Sequence, residues 1–191
     1  KGDMDLKAHI ATYGPLVGEE LQDAIRAIAT CIRAVHSSKM VWTDLKTENF
    51  VVITSDDNVL TVKGIDLESA MPFEDNPVDY SPEACPPEFA KAFLAGDSAF
   101  FVLDYSYDIW SLGVTAFELA TGRGIFDGKS PLQITQILSS PNFQADLTDV
   151  DDPKLMDLIR SCLQVEANRR PTIGKLFSHP YLSTGLKLRL F

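Results

Sequence analysis

The stretch Val41-Trp42-Thr43-Asp44-Leu45-Lys46-Thr47-Glu48-Asn49-Phe50 gathers acids, an ammonium and an amide between apolar neighbours. A second polar run, Ile65-Asp66-Leu67-Glu68, follows downstream. Side-chain oxygens of Asp and Asn are the donors Mg²⁺ prefers, with phosphate oxygens and water completing its shell. An ammonium beside them balances phosphate charge. If Asp44, Lys46, Asn49 and Asp66 meet in space, the chemistry they suit is that of a metal-phosphate site.

The elements around these residues must bring them together. From Glu19 to Ser38 the apolar positions Leu21, Ile25, Ile28, Ile32 and Val35 recur with helical spacing, which predicts one long amphipathic helix. Gly14 and Pro15 separate it from a shorter helix expected around Met4 to Ala11. Phe50 to Ile53 and Val59 to Val62 are apolar, β-branched runs, and Ser55 to Asn58 between them is turn chemistry. That predicts a β-hairpin. A hairpin returns its end near its start, so Asp66 is expected close to Asp44, Lys46 and Asn49.

Ser69 to Pro87 has no regular period and carries Pro72, Pro77, Pro82, Pro86 and Pro87. A loop of that length inside a domain is usually functional. Helices are expected at Ile109 to Ala120, apolar enough to be buried, and at Leu132 to Leu138, Lys154 to Cys162 and Ile173 to Phe177. The fold class expected is therefore mainly α with one small β-hairpin. The tail Leu186 to Phe191 alternates like a strand, and either docks on a domain or marks a truncated end.

Composition narrows the function. At 191 residues, with 45% hydrophobic and 23% charged, the chain is ordinary globular protein, which excludes disordered, collagen-like and coiled-coil classes. Asp and Glu number 27 against 17 Lys and Arg, a net charge of -10. That argues against nucleic acid as a partner, since phosphate backbones need clustered cations. No apolar run reaches the roughly 18 residues of a membrane span. The three cysteines, Cys31, Cys85 and Cys162, are far apart. They suit neither a disulfide framework nor a zinc site, and point to a reducing, intracellular and by default cytoplasmic setting. Lys1 to Ile10 is polar and helical, unlike a signal peptide.

Taken in order, the motifs resemble the C-terminal lobe of a eukaryotic protein kinase. Trp42 to Asn49 is similar to the catalytic loop, and Ile65 to Glu68 to the magnesium motif that usually reads Asp-Phe-Gly. Tyr80-Ser81-Pro82-Glu83 followed by Pro86-Pro87-Glu88 is similar to the end of the activation segment. Asp108 to Gly113 is similar to the start of the central helix. Arg169 to Thr172 and His179 to Leu182 are similar to the last helices. Such ordered motifs in the expected structural context are specific.

The resemblance implies ATP and Mg²⁺ as cofactors and a protein as substrate. It implies Asp44 as the catalytic base and Lys46 as the group steadying the transferred phosphoryl, in the serine/threonine manner. Asn49 and Asp66 would hold the metal. Val51 would floor the adenine pocket and Asp3 would contact the ribose. Ser81 would bridge base and lysine, and Glu83 lies with it on the substrate-facing segment. Glu88 and Arg170 are expected as a buried ion pair, with Asp108 anchoring the catalytic loop.

The departures are specific too. The family's His-Arg before the base is Trp42-Thr43 here, so the usual arginine for an activation-segment phosphate is replaced. The Phe and Gly of the magnesium motif are Leu67 and Glu68. Leu67 is expected to pack, and Glu68 removes glycine's backbone freedom. These residues begin where the family's hinge ends. Residues 1–191 thus read as a C-lobe without its N-lobe, expected to bind no nucleotide alone and to pair with its own N-lobe or a partner protein. His36 and His179 are expected to be structural, His9 to be on the surface, and Cys85 to be an inert, half-buried thiol. Asp146, Asp149, Asp151 and Asp152 read as a solvated loop. The functions to separate are a serine/threonine-type kinase, a pseudokinase scaffold, and a lobe-only interaction subunit.

Overall fold

One face of the long helix decides the architecture. In the computed structural model, which describes residues 4–54, 60–77 and 80–183, this helix, α2 (Gly18–Ser37), buries Leu21, Ala24, Ile25, Ile28, Ala29, Ile32 and Val35. Before it come a two-residue strand β1 (Met4–Asp5) and α1 (Leu6–Tyr13). After it come the strands β2 (Met40–Trp42), β3 (Phe50–Thr54), β4 (Leu60–Gly64) and β5 (Ala70–Pro72). The remainder is helical: α3 (Pro87–Ala95), α4 (Ser106–Thr121), α5 (Pro131–Leu138), α6 (Pro153–Cys162), α7 (Ile173–Leu176) and α8 (Pro180–Ser183).

Helix α4 is the centre of the core. Every residue from Tyr107 to Leu119 is buried, as a mostly apolar helix requires, with Asp108, Ser111, Thr115 and Glu118 buried among them. It packs against α2 on one side and α6 on the other. Gly113 lets α6 come close, since a Cβ there would meet Cys162 Cβ at 2.8 Å and Leu163 Cδ2 at 2.9 Å. The strands form two small antiparallel sheets, one ordered β1-β3-β4 and one pairing β2 with β5. In the first, Phe50 lies opposite Gly64 and Val52 opposite Val62. In the second, Trp42 lies opposite Ala70.

The hairpin and the expected helices are present. The first helix begins at Leu6 rather than near Met4, because Asp5 is its N-cap and accepts from the Ala8 N–H. Strands β1, β2 and β5 are two or three residues long, too short for an alternating pattern to mark them. Helix α8 falls on the His179 to Leu182 motif, whereas α3 starts directly after the proline-rich stretch, whose lack of period hides it. Asp3, the turn Ser55 to Asn58, Val59, Asp79 and the tail Leu186 to Phe191 lie outside the described residues.

Candidate active site

The Trp42–Asn49 segment is pinned by residues that point inward, and this leaves Asp44 and Lys46 partly exposed. Leu45 and Thr47 are fully buried, whereas the side chains of Asp44 and Lys46 keep 25% and 27% of their surface exposed. Thr47 Oγ1 donates to Glu118 Oε2 at 2.8 Å, and the other Glu118 oxygen takes Lys7. Behind the loop, Asp108 Oδ2 accepts the Trp42 backbone N–H at 2.8 Å and lies 2.8 Å from His36 Nε2. Burial pushes the Asp108 carboxyl up, and His36 and the Trp42 N–H pull it back only in part. Glu118 was not foreseen. An acid inside the apolar run Ile109 to Ala120 is the mark that could have revealed it, because buried acids need partners.

Asp44 is the hub. Its Oδ1 accepts from Ser81 Oγ at 2.6 Å and from Lys46 Nζ at 3.0 Å. Its Oδ2 lies 2.8 Å from Lys46 Nζ and 3.3 Å from Asn49 Nδ2. Lys46 also donates to Ser81 Oγ at 3.1 Å. Burial by itself would lower the Lys46 pKa. The hydrogen bond and charge of Asp44, with Glu48 and Glu83 nearby, outweigh it and raise the pKa, so Lys46 is charged at neutral pH. Glu83 is exposed beside this group, and Val51 is half-buried on β3.

Asn49 Nδ2 is committed to the Asp44 carbonyl at 2.7 Å. Its Oδ1 accepts no hydrogen bond among the described residues. Asp66 is brought alongside because the Ile65 N–H donates to the Asn49 carbonyl at 2.9 Å. Asp66 is exposed, and its carboxylate has no hydrogen-bond or ion-pair partner among the described residues. Its backbone is left-handed, φ 58° and ψ 63°, a conformation that Asp tolerates better than most residues with a Cβ. Asn49 Oδ1 and the Asp66 carboxylate thus both lack a protein partner among the described residues. Among the described residues no cluster of three or more His, Cys, Asp or Glu could hold an ion. The set fits Mg²⁺, which takes one or two protein groups and completes its shell with phosphate and water. Leu67, expected to pack, is instead 52% exposed, and Glu68 is exposed beside it.

Of the pair expected to be buried, Arg170 is buried, while the Glu88 side chain keeps 28% of its surface exposed. Arg170 is fully buried and meets Glu88 in a fork, with both N–O distances 2.7 Å. It also donates to the Gln164 and Ser106 carbonyls and stacks over Trp110. The segment after β5 is held without an arginine: Phe73 stacks on Tyr105 at 4.4 Å, the Glu74 N–H donates to Leu103 O, and the Leu103 N–H donates to Asp75 O. Cys85 is completely buried and its thiol is pushed up to about 12 by burial, which makes it inert. His9, expected on the surface, is half-buried, and burial lowers its pKa. Of the acids expected to be solvated, Asp149 pairs with Arg123, and Asp152 caps α6.

Comparison with known proteins agrees with this geometry. The family described as "Protein kinase domain" matches residues 2–182. Tribbles homolog 1 of Homo sapiens is 25% identical over 183 residues, 96% of this chain and 48% of its own length. Serine/threonine-protein kinase ATG1b of Arabidopsis thaliana is 26% identical over 182 residues, 94% of this chain and 25% of its own length. Mitogen-activated protein kinase kinase kinase 1a of Physcomitrium patens is 29% identical over 179 residues, 90% and 21% respectively. The chain spans half or less of the length of these curated relatives. Its family match covers nearly every residue, and the chain belongs to the protein kinase domain family.

Proposed function

We infer that this chain is the C-lobe of a protein serine/threonine kinase that moves the γ-phosphoryl of ATP to a protein hydroxyl. The observation that carries the reading is Lys46, whose ammonium bridges the Asp44 carboxylate and the Ser81 hydroxyl. Asp44 acts as the base. The Ser81 hydroxyl on its Oδ1 shows that a hydroxyl donor is accommodated there at 2.6 Å, within the reach a general base needs. Lys46 keeps its charge beside the base and steadies the transferred phosphoryl. Asn49 Oδ1 and Asp66 would hold Mg²⁺. When bound with ATP, the metal supplies charge neutralisation on the phosphate oxygens. Val51, on the hairpin floor, and Asp3 are the nucleotide contacts carried over from the family. The N-lobe contacts come from the rest of the protein or from a partner.

A second reading, a scaffold that transfers no phosphate, is favoured by the exposed Leu67 and Glu68 in the magnesium motif. The test is full-length protein with γ-labelled ATP and a general protein substrate. The kinase reading predicts labelled serine and threonine that vanishes when EDTA removes the metal. The scaffold reading predicts no label above a protein-free control at any Mg²⁺ concentration.

A further inference from the structure

Between α3 and α4 the chain exposes apolar side chains that the proposed chemistry does not use. Phe100 is 80% exposed and Val102 56% exposed, and Leu94 on α3 is exposed as well. The residues beside them turn inward. Phe101 is half-buried against Phe89, with ring centroids 5.1 Å apart, and Leu103 is fully buried. Side chains that point alternately out and in belong to an extended backbone.

One edge of that backbone is paired. The Leu103 N–H donates to Asp75 O at 2.9 Å, and the Glu74 N–H donates to Leu103 O at 3.0 Å. Asn76 Nδ2 donates to the Phe101 carbonyl at 2.6 Å. In an extended chain the peptide groups of the residue between face the opposite way. At Val102 neither the N–H nor the carbonyl has a hydrogen-bond partner among the described residues. Alongside lies a cavity of about 350 Å³, whose lining includes Glu88, Val102, Asp104 and Asn168. An open edge with a groove beside it is what an added strand pairs with.

Charge says what such a strand carries. Asp97 and Asp104 are exposed on either side of residues 100–102, Glu74 and Asp75 are exposed on the paired segment, and Glu88 lines the cavity. Between Lys63 and Arg123 the sequence has no Lys or Arg except Lys91. Arg169, next to Asn168, is already paired with Glu166. An apolar edge rimmed by uncompensated acids is complementary to a segment that is apolar and basic.

We propose that the edge at residues 100–104 docks an extended segment of a partner protein in which apolar residues alternate with lysine or arginine. The segment pairs with the Val102 peptide groups, lays its apolar side chains on Phe100 and Val102, and sets its cations beside Asp97, Asp104 and Glu88. Docking at this edge involves no phosphoryl transfer, so it stands apart from the kinase reading.

The probes are fluorescein-labelled hexapeptides, Lys-Val-Lys-Phe-Lys-Val and Glu-Val-Glu-Phe-Glu-Val, titrated into full-length protein and read by anisotropy. We expect the basic peptide to bind at least about tenfold more tightly than the acidic one. A net charge of -10 attracts basic peptides in general, so variants decide where binding occurs. Val102→Pro removes the edge N–H without breaking an internal bond. Phe101 before it already has φ -68° and ψ 131°, an extended conformation of the kind a following proline needs. Val102→Pro and Phe100→Ser should each weaken binding at least about fivefold. Val17→Ser, at a 69% exposed apolar position before α2, should stay within about twofold. No effect of either edge variant, equal weakening by Val17→Ser, or tighter binding of the acidic peptide overturns docking at this edge. Concentration-dependent dimerisation that Val102→Pro abolishes overturns it too, by giving the edge to a second copy. If Val102→Pro fails to fold, Phe100→Ser alone decides.

Discussion

Asp108 and Asp66 lie on either side of Trp42 and are treated in opposite ways. Asp108 is completely buried, and its Oδ2 receives both the Trp42 backbone N–H and His36. Asp66 is exposed; its carboxylate receives nothing among the described residues, and the Trp42 indole holds its carbonyl instead. One residue thus meets Asp108 through its main chain and the Asp66 backbone through its side chain. The same division separates the two key cations. Arg170 is buried within its fork to Glu88, while Lys46 remains partly exposed between Asp44 and Ser81. Asp108 and Arg170 are buried among protein partners, whereas Asp66 and Lys46 remain at the surface.

The comparison breaks most visibly on the scaffold side. Arg170→Ala empties a buried site and leaves the partly exposed Glu88 carboxylate without its partner, which should cost about 3 kcal/mol, the low end for buried pairs. For a chain of this size the melting temperature should fall by about 10 °C. A fall under about 3 °C in calorimetry would mean the pair is not structural.

Asp66→Gly sharpens the contrast, because it should separate stability from function. Glycine accepts the left-handed backbone without strain, so the melting temperature should stay level or rise by about 2 °C. Metal-dependent transfer should be lost. A variant that is destabilised yet active would place Asp66 with the scaffold.

A smaller effect concerns the segment between Met71 and Tyr80. Thr43 Oγ1 is buried and already given to Ser69, so it cannot serve a phosphate as an arginine does. Phe73, Tyr105 and the Glu74 and Leu103 ladder hold the segment instead. Phosphatase treatment of active protein, with mass spectrometry confirming a bare segment, should change the rate by less than about tenfold, or about 1.4 kcal/mol of barrier. A larger loss would reveal another basic residue bound to a phosphate.

Much of this was legible in the sequence because period and order carry it. The stripe Leu21 to Val35, the hairpin and the apolar run of α4 fix the frame, and Asp44, Lys46, Asn49 and Asp66 lie at the hairpin mouth where its return path puts them. What was hidden depends on pairs distant in sequence. Lys7, Thr47 and Glu118 meet through tertiary packing, and Phe73 reaches Tyr105 across a proline-rich stretch without periodicity. Leu67 reads as a core residue by type but is half exposed, because the turn after Asp66 points it away from the lobe's own core.

The account stands most directly on Asp44. The decisive measurement is the transfer rate of full-length Asp44→Asn beside the wild type, with melting temperature recorded on the same samples. Asparagine keeps the size and can still accept from Ser81 and Lys46, but it is no base. General bases contribute about 10²–10⁴-fold, so the rate should fall at least about a hundredfold while the melting temperature moves by less than about 3 °C. A rate within about threefold of wild type, or a loss that follows unfolding, would contradict the assignment of this cluster as the site of phosphoryl transfer.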